Sequence, residues 1–180
     1  MSSLSDFIGG GGGGLTPKFE EFNSSGTFTP TQALIDAGGY IEIFLVGGGS
    51  SPNSSADGGS GGEVLMKKMY LTSTTGCAVT IGSGGASGGN NGGSSVFAGS
   101  SAGGVNITSA GGDKEWQNQR AGAGWGSETT NTTAGSGVFG YGAGGGKFKA
   151  GVGVGKANTG QGSRYAAAGG SGYCLIKWYE

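Results

Sequence analysis

Residues 40–51 read YIEIFLVGGGSS, and this stretch joins the two kinds of sequence from which the chain is built. Its first half is rich in β-branched and aromatic residues and predicts a strand over 40–46. Because side chains alternate across a strand, Ile41, Ile43 and Leu45 should share one face, which we expect to be buried. The strand runs directly into consecutive glycines, so an apolar sheet and a glycine-rich segment must meet here.

The chain closes with a second strand-like run, GGSGYCLIKWYE at 169–180. Alternation predicts a strand over 173–179 with Cys174, Ile176 and Trp178 on a common face. We expect this strand to pair with the first one or with its neighbours. Such pairing would hold both ends of the intervening chain on one sheet and would shorten the loop that must be closed.

Two more strands are predicted near 63–72 and 77–82, in the runs EVLMKKMYLTST and CAVTIGSGG. A turn-like break at Thr75-Gly76 predicts that these two strands form a hairpin. A short strand is also expected after Gly26. Together these runs predict an all-β protein built on antiparallel pairing.

Glycine supplies 47 of the 180 residues and proline only 3, with no three-residue repeat, so a collagen helix is excluded. The clustered apolar runs argue against full disorder. The glycine-rich tract over 83–172 is too long for a structureless loop inside a compact domain. Because glycine lets chains approach closely, we predict that the tract forms extended helices of about three residues per turn, bonded side by side through their backbones.

Several classes of function are disfavoured by composition. The net charge is −1 and the chain has only two arginines, which argues against nucleic-acid binding. The absence of histidine removes the usual general base and zinc ligand, and the acidic residues are few and scattered, so we predict no enzyme, cofactor or metal site.

Cys77 and Cys174 are interpreted as buried free thiols. No run of apolar residues is long enough to cross a bilayer.

Residues 1–22 are predicted to form an arm outside a domain that spans 23–180. An apolar group, Leu4, Phe7 and Ile8, precedes six consecutive glycines. Two interpretations stay open: a flexible terminus, or a docking segment in which this group inserts into another protein of a virion and the glycines act as a tether. Three further apolar residues follow at near-helical spacing: Leu15, Phe19 and Phe22.

The order of the motifs over about 24–180 resembles the glycine-rich domains of bacteriophage tail-fibre and adhesin proteins. The motifs are SGTFTPTQALIDAGGYIEIFLVGGGS, GGEVLMKKMYLTST, AVTIGSGG, the glycine-rich tract and the closing GGSGYCLIKWYE. The resemblance implies a small β-sandwich-like base that closes over a bundle of polyglycine II-like helices and loops. It also implies a homotrimer or attachment to a trimeric fibre, and loops that contact an outer-membrane protein or a polysaccharide of a bacterial surface.

We therefore expect a phage virion structural protein, made in the host cytoplasm, that serves as a tail-fibre or tail-tip adhesin and binds other tail or fibre proteins. The alternative is a fibre, baseplate or capsid-attached component that does not touch the receptor. The candidate receptor contacts are Trp116, Arg120 and Trp125, in the most polar part of the tract, since tryptophan is frequent where binding energy concentrates. The alternative is that the two tryptophans cap the packed glycine helices. Tyr141, in GVFGYG, is expected to be internal.

Overall fold

The computed structural model describes residues 14–53, 58–114, 141–142, 154–163 and 167–180. These residues form two four-stranded antiparallel sheets with very little helix, so the predicted all-β class is confirmed. The elements in chain order are β1 Pro17–Phe22, β2 Gly26–Phe28, α1 Gln32–Asp36, β3 Tyr40–Val46, β4 Val64–Tyr70, β5 Cys77–Thr80, β6 Ser95–Ala98, β7 Ile107–Ser109 and β8 Tyr173–Tyr179.

The first sheet has the strand order β1-β8-β3-β4. The closing strand β8 lies in its interior and pairs with β1 on one side and with β3 on the other. The predicted pairing between the closing strand and the run at 40–46 is therefore observed, with Ile43 opposite Ile176. Both strands have the bounds expected from their alternation.

The second sheet has the order β2-β5-β6-β7, and the core lies between the inner faces of the two sheets. Phe28 on β2 packs edge-on against Trp178 on β8, with ring centroids 5.2 Å apart, and so links the sheets. The alternation predicted for β3 and β8 holds, because the residues expected on a common face are all in this core. The core includes Phe28, Leu34, Ile41, Ile43, Leu45, Cys77, Val79, Phe97, Cys174, Ile176 and Trp178.

Residues 17–22 belong to the sheet, which corrects the arm predicted over 1–22. They form β1, whose backbone pairs with β8 from Pro17 opposite Tyr179 to Phe22 opposite Cys174. The near-helical spacing was misleading, because Phe19 is 69% exposed on the outer face while Phe22 is buried in the core. Residues 1–13, with Leu4, Phe7 and Ile8, lie outside the described residues.

The predicted hairpin through Thr75-Gly76 is wrong. β4 pairs with β3 in the first sheet, and β5 pairs with β2 and β6 in the second, so the chain crosses between sheets at this point. Two strands, β6 and β7, and the short helix α1 were not predicted. α1 is capped by Thr31, whose hydroxyl accepts a hydrogen bond from the N–H of Leu34 at 3.0 Å.

Glycine-rich segments continue from the ends of the strands and bond to one another through their backbones. We call this region the glycine lattice. The segment 47–51, which follows β3, forms backbone hydrogen bonds with six others. The described lattice consists of residues 47–53, 58–63, 81–86, 90–94, 110–114, 154–156, 160–163 and 167–172.

Hydrogen-bond donors in the central lattice segment change partner with a period of three residues. Gly47 and Ser50 donate to carbonyls in 58–63, at 3.0 and 2.9 Å, and Gly48 and Ser51 donate to carbonyls in 90–93, both at 2.9 Å. A period of three is that of a polyproline II-type helix. The donor pattern thus supports the predicted extended helices, whose helical geometry itself stays a prediction.

Two buried serines join the sheets to the lattice. Ser95 on β6 donates to the carbonyl of Val46 at 2.6 Å and accepts from the N–H of Gly82 at 2.9 Å. Ser109 on β7 donates to the carbonyl of Glu63 at 2.6 Å and accepts from the N–H of Gly47 at 3.1 Å. These hydroxyls supply hydrogen-bond partners to backbone groups at the boundary between the sheets and the lattice. Buried polar groups require such partners.

The two ends of the molecule differ in character. Thr16 and Glu180 exchange backbone hydrogen bonds of 2.7 and 3.1 Å at the end of the first sheet that is remote from the lattice. At the far end of the lattice, the chain turns at residues 87–89, and Asn53 lies beside this turn. The extended strands and segments separate these two ends by roughly 40 Å.

Both cysteines are free and buried, as the sequence predicts. Burial raises the pKa of the Cys174 thiol to about 12, and the nearby Glu20 carboxylate adds to the rise. Because the thiolate is the reactive form, both thiols should react with a disulfide reagent at pH 8 at least about a hundredfold more slowly in the native protein than in denaturant. Rapid labelling of either thiol in the native protein would contradict this placement.

Candidate functional site

The outer face of the first sheet carries an apolar surface in successive cross-strand rows. One row is charged and consists of Lys177 on β8, Glu42 on β3 and Lys68 on β4. The next row towards the lattice is apolar and consists of Leu175, Phe44 and Met66 on the same three strands. Directly opposed side chains in an antiparallel sheet share a face, so each row forms a continuous band.

These rows form the floor of a concavity of about 440 Å³, which we call the aromatic groove. At its lattice end, the rings of Tyr141 and Tyr173 are stacked with centroids 5.2 Å apart, and Tyr141 packs edge-on against Phe44 at 5.0 Å. Tyr141, which was expected to be internal, is only partly buried in this cluster on the outer face of the sheet. The residues lining the groove are Glu42, Ile43, Phe44, Met66, Lys67, Lys68, Tyr141, Tyr173, Leu175 and Lys177.

The groove face carries charges of both signs, because Lys68 and Lys177 lie on it with Glu42, and Glu21 on β1 lies opposite Leu175 on the same face. Glu42 accepts a hydrogen bond from the hydroxyl of Tyr40 at 3.0 Å and pairs with Lys68 at 3.2 Å. These two partners hold the pKa of the Glu42 carboxyl below its usual range. Glu42 is therefore ionised at neutral pH and offsets the charge of only one lysine.

Burial raises the pKa of the Tyr173 hydroxyl, and the Glu21 carboxylate beside it adds to the rise. Tyr173 thus stays neutral, and its ring serves as an apolar wall. The described lining therefore offers mainly apolar contacts, beside one charged row formed by Lys177, Glu42 and Lys68. It holds no pair of carboxylates suited to acid–base catalysis.

The described part of the chain shows no cluster of acidic and cysteine side chains that could hold a metal ion. The same residues contain no helix long and apolar enough to cross a membrane. The candidate receptor contacts Trp116, Arg120 and Trp125 lie outside the described residues, so the structure neither brings them together nor separates them.

The aromatic groove was not found from the sequence. Its lining comes from three strands and from Tyr141, which is about a hundred residues from Phe44 in the chain. The available signal was the outer face of the strand pattern, where Phe44, Leu175 and Met66 occupy positions that a solvated face would fill with polar residues. No protein family, curated protein or solved structure matches the chain.

Proposed function

We propose that the protein is a phage virion structural protein, a tail-fibre or tail-tip adhesin that binds a receptor on the host-cell surface without catalysis. The observation that carries the proposal is the difference between its two ends. The sheet end holds Thr16 and Glu180, where the N-terminal segment joins β1, and the far end of the lattice holds the turn at 87–89. One end is suited to attachment and the other to contact with a receptor.

The lattice between these ends supports an adhesive role for a physical reason. Its stability comes mainly from backbone hydrogen bonds between glycine-rich segments, such as Gly92 to Gly112 at 2.9 Å and Gly112 to Gly48 at 2.8 Å. Because this bonding runs between backbones, segments outside the lattice can change sequence without disturbing it. Several copies on one particle would add weak single contacts into firm adhesion.

Alanine substitution of both Trp116 and Trp125 tests the receptor contact. The double variant should fold normally and lose at least tenfold in binding to host cells, because aromatic anchors carry much of the energy of an interface. Alanine at Tyr179, which is exposed at the opposite end, is the matched control and should leave binding unchanged. Equal binding by the double variant and the wild type would reject the tryptophans as contacts.

The second candidate function is a fibre, baseplate or capsid-attached component without receptor contact. It is favoured by the aromatic groove, an apolar concavity of about 440 Å³ on the outer face of the first sheet, which lies away from the far end of the lattice. Labelling of particles with an antibody against the protein separates the two. Label at the distal tip of a fibre supports the adhesin, whereas label on the capsid or within the baseplate supports the second function.

A further inference from the structure

We propose that the two edge strands of the first sheet, β4 and β1, pair between copies of the chain, so that β4 of one copy continues the sheet onto β1 of a second copy. This inference goes beyond the proposed function and does not rest on it. Three features of the molecule support it: the backbone groups along both edges, the opposite charges at their centres, and a register that matches both.

Both edge strands carry backbone groups that point away from their own sheet. Leu71 donates to the carbonyl of Gly39 at 2.8 Å in the register of β3 and β4, so the odd-numbered residues of β4 face β3 and the even-numbered ones face outwards. Thr16 and Glu180 exchange hydrogen bonds, so the even-numbered residues of β1 face β8 and the odd-numbered ones face outwards. Among the described residues, none bonds to the outward groups of either strand. Such edges are templates for pairing with another chain.

The two edges carry opposite charges at their centres. β4 has Lys67 and Lys68, whereas β1 has Glu20 and Glu21. Lys68 pairs with Glu42 at 3.2 Å, but no residue in the described part of the chain forms an ion pair with Lys67 or Glu20. Burial raises the pKa of the Glu20 carboxyl, as it does for a carboxylate without a cationic partner. The acidic edge of one copy is therefore complementary to the basic edge of another.

Lys67 and Glu20 lie on the same side of the first sheet. Lys67 is opposite Ile43 and Glu20 is opposite Ile176, and both isoleucines belong to the core between the sheets. When Lys67 lies opposite Glu20 of the second copy in an antiparallel pair, their Cα atoms are about 4.5–5.5 Å apart and the two charges meet on one face. Pairing of β4 with β4 of the second copy about the same centre would set lysine against lysine, which is destabilising.

The same register also matches the backbone groups of the two edges. It sets Lys68 opposite Phe19 of the second copy and Met66 opposite Glu21 of the second copy. All four are residues whose backbone groups point outwards from their own sheet. Each of these two pairs can therefore exchange both of its hydrogen bonds across the junction. Charge and hydrogen bonding thus select the same alignment of β4 with β1.

Charge reversal at the two edges tests the proposal in the full chain. The wild type should associate as its concentration rises in sedimentation velocity. The variants Lys67→Glu and Glu20→Lys should each associate at least about tenfold more weakly, because like charges then meet at the junction. An equimolar mixture of the two variants should regain association, because every junction between them again joins opposite charges. Circular dichroism should show that both variants are folded.

Ala78→Glu and Thr80→Lys are the matched controls, because both residues are exposed on β5 of the second sheet, and they should associate like the wild type. Phe19→Pro tests the backbone without changing charge: it removes one outward N–H of β1 and should also prevent association. A monomeric wild type, unchanged association of Phe19→Pro, or a mixture that stays monomeric would overturn the proposal. Association kept by Glu20→Lys and lost by Lys67→Glu would also overturn it and indicate that β4 pairs with a different strand.

Discussion

Alanine in place of Gly49 should destabilise the domain by more than about 3 kcal/mol, because no side chain fits at this position. A Cβ atom there would overlap the carbonyl of Gln161 in a neighbouring lattice segment. Gly49 also donates to the carbonyl of Gly170 at 2.8 Å, so any shift that relieves the overlap breaks lattice bonds. Since Gly49 does not adopt a left-handed φ, the loss measures the close approach of the two backbones.

Urea denaturation followed by circular dichroism measures this loss, and amide hydrogen exchange of Gly48 and Gly92 locates it. Gly14→Ala is the matched control, because a Cβ atom at Gly14 meets no other atom within 4 Å. Its free energy of unfolding should change by no more than about 0.5 kcal/mol. Similar losses in both variants, or fast exchange of the two lattice amides in the wild type, would contradict a close-packed lattice.

Removal of residues 173–180 should abolish folding of the whole domain. The deleted strand, β8, pairs with β1 and β3 and supplies Cys174, Ile176 and Trp178 to the core. Its loss separates β1 from the sheet and opens the core that Phe28 shares with Trp178. Burial of one large apolar side chain contributes about 1.5–3 kcal/mol, so the loss of these three is comparable to the usual stability of a domain, and the lost pairing with β1 and β3 adds to it.

Thermal unfolding and the NMR spectrum of the amides check this expectation. The truncated protein should show neither a cooperative thermal transition nor dispersed amide resonances. Tyr179→Ser is the control, because it alters the exposed end of the same strand and keeps every backbone pair. It should remain folded, with a change of no more than about 1 kcal/mol. A truncated protein that still unfolds cooperatively would show that the closing strand is dispensable.

Strands with clear alternation could be placed from the sequence, and short strands rich in small residues could not. YIEIFLV and YCLIKWY alternate over seven residues, which gave the bounds of β3 and β8. β6 and β7 have four and three residues and include Ser95 and Ser109, whose burial depends on backbone partners from distant segments. Their strand character comes from tertiary pairing, which local patterns do not record.

The errors in topology have a similar origin. Because β4 and β5 are close in sequence, a hairpin between them was predicted. The two strands instead belong to different sheets. The spacing of Leu15, Phe19 and Phe22 matched a helix, yet the free edge of β8 determines that 17–22 is extended. The aromatic groove could not be predicted, because it requires the register of three strands and the return of the chain at Tyr141.

The period of three residues in the lattice also limits which insertions and deletions the lattice segments can tolerate. Adding three residues, one turn of the expected helix, to 47–51 and to each of the six segments bonded to it would lengthen the lattice by about 9 Å and keep every donor aimed at its former neighbour. Adding a single residue would rotate the following amides by about one third of a turn and direct them at the wrong segments. Insertions and deletions within the lattice should therefore accumulate in multiples of three residues. Changes of any other length should be found only outside the lattice.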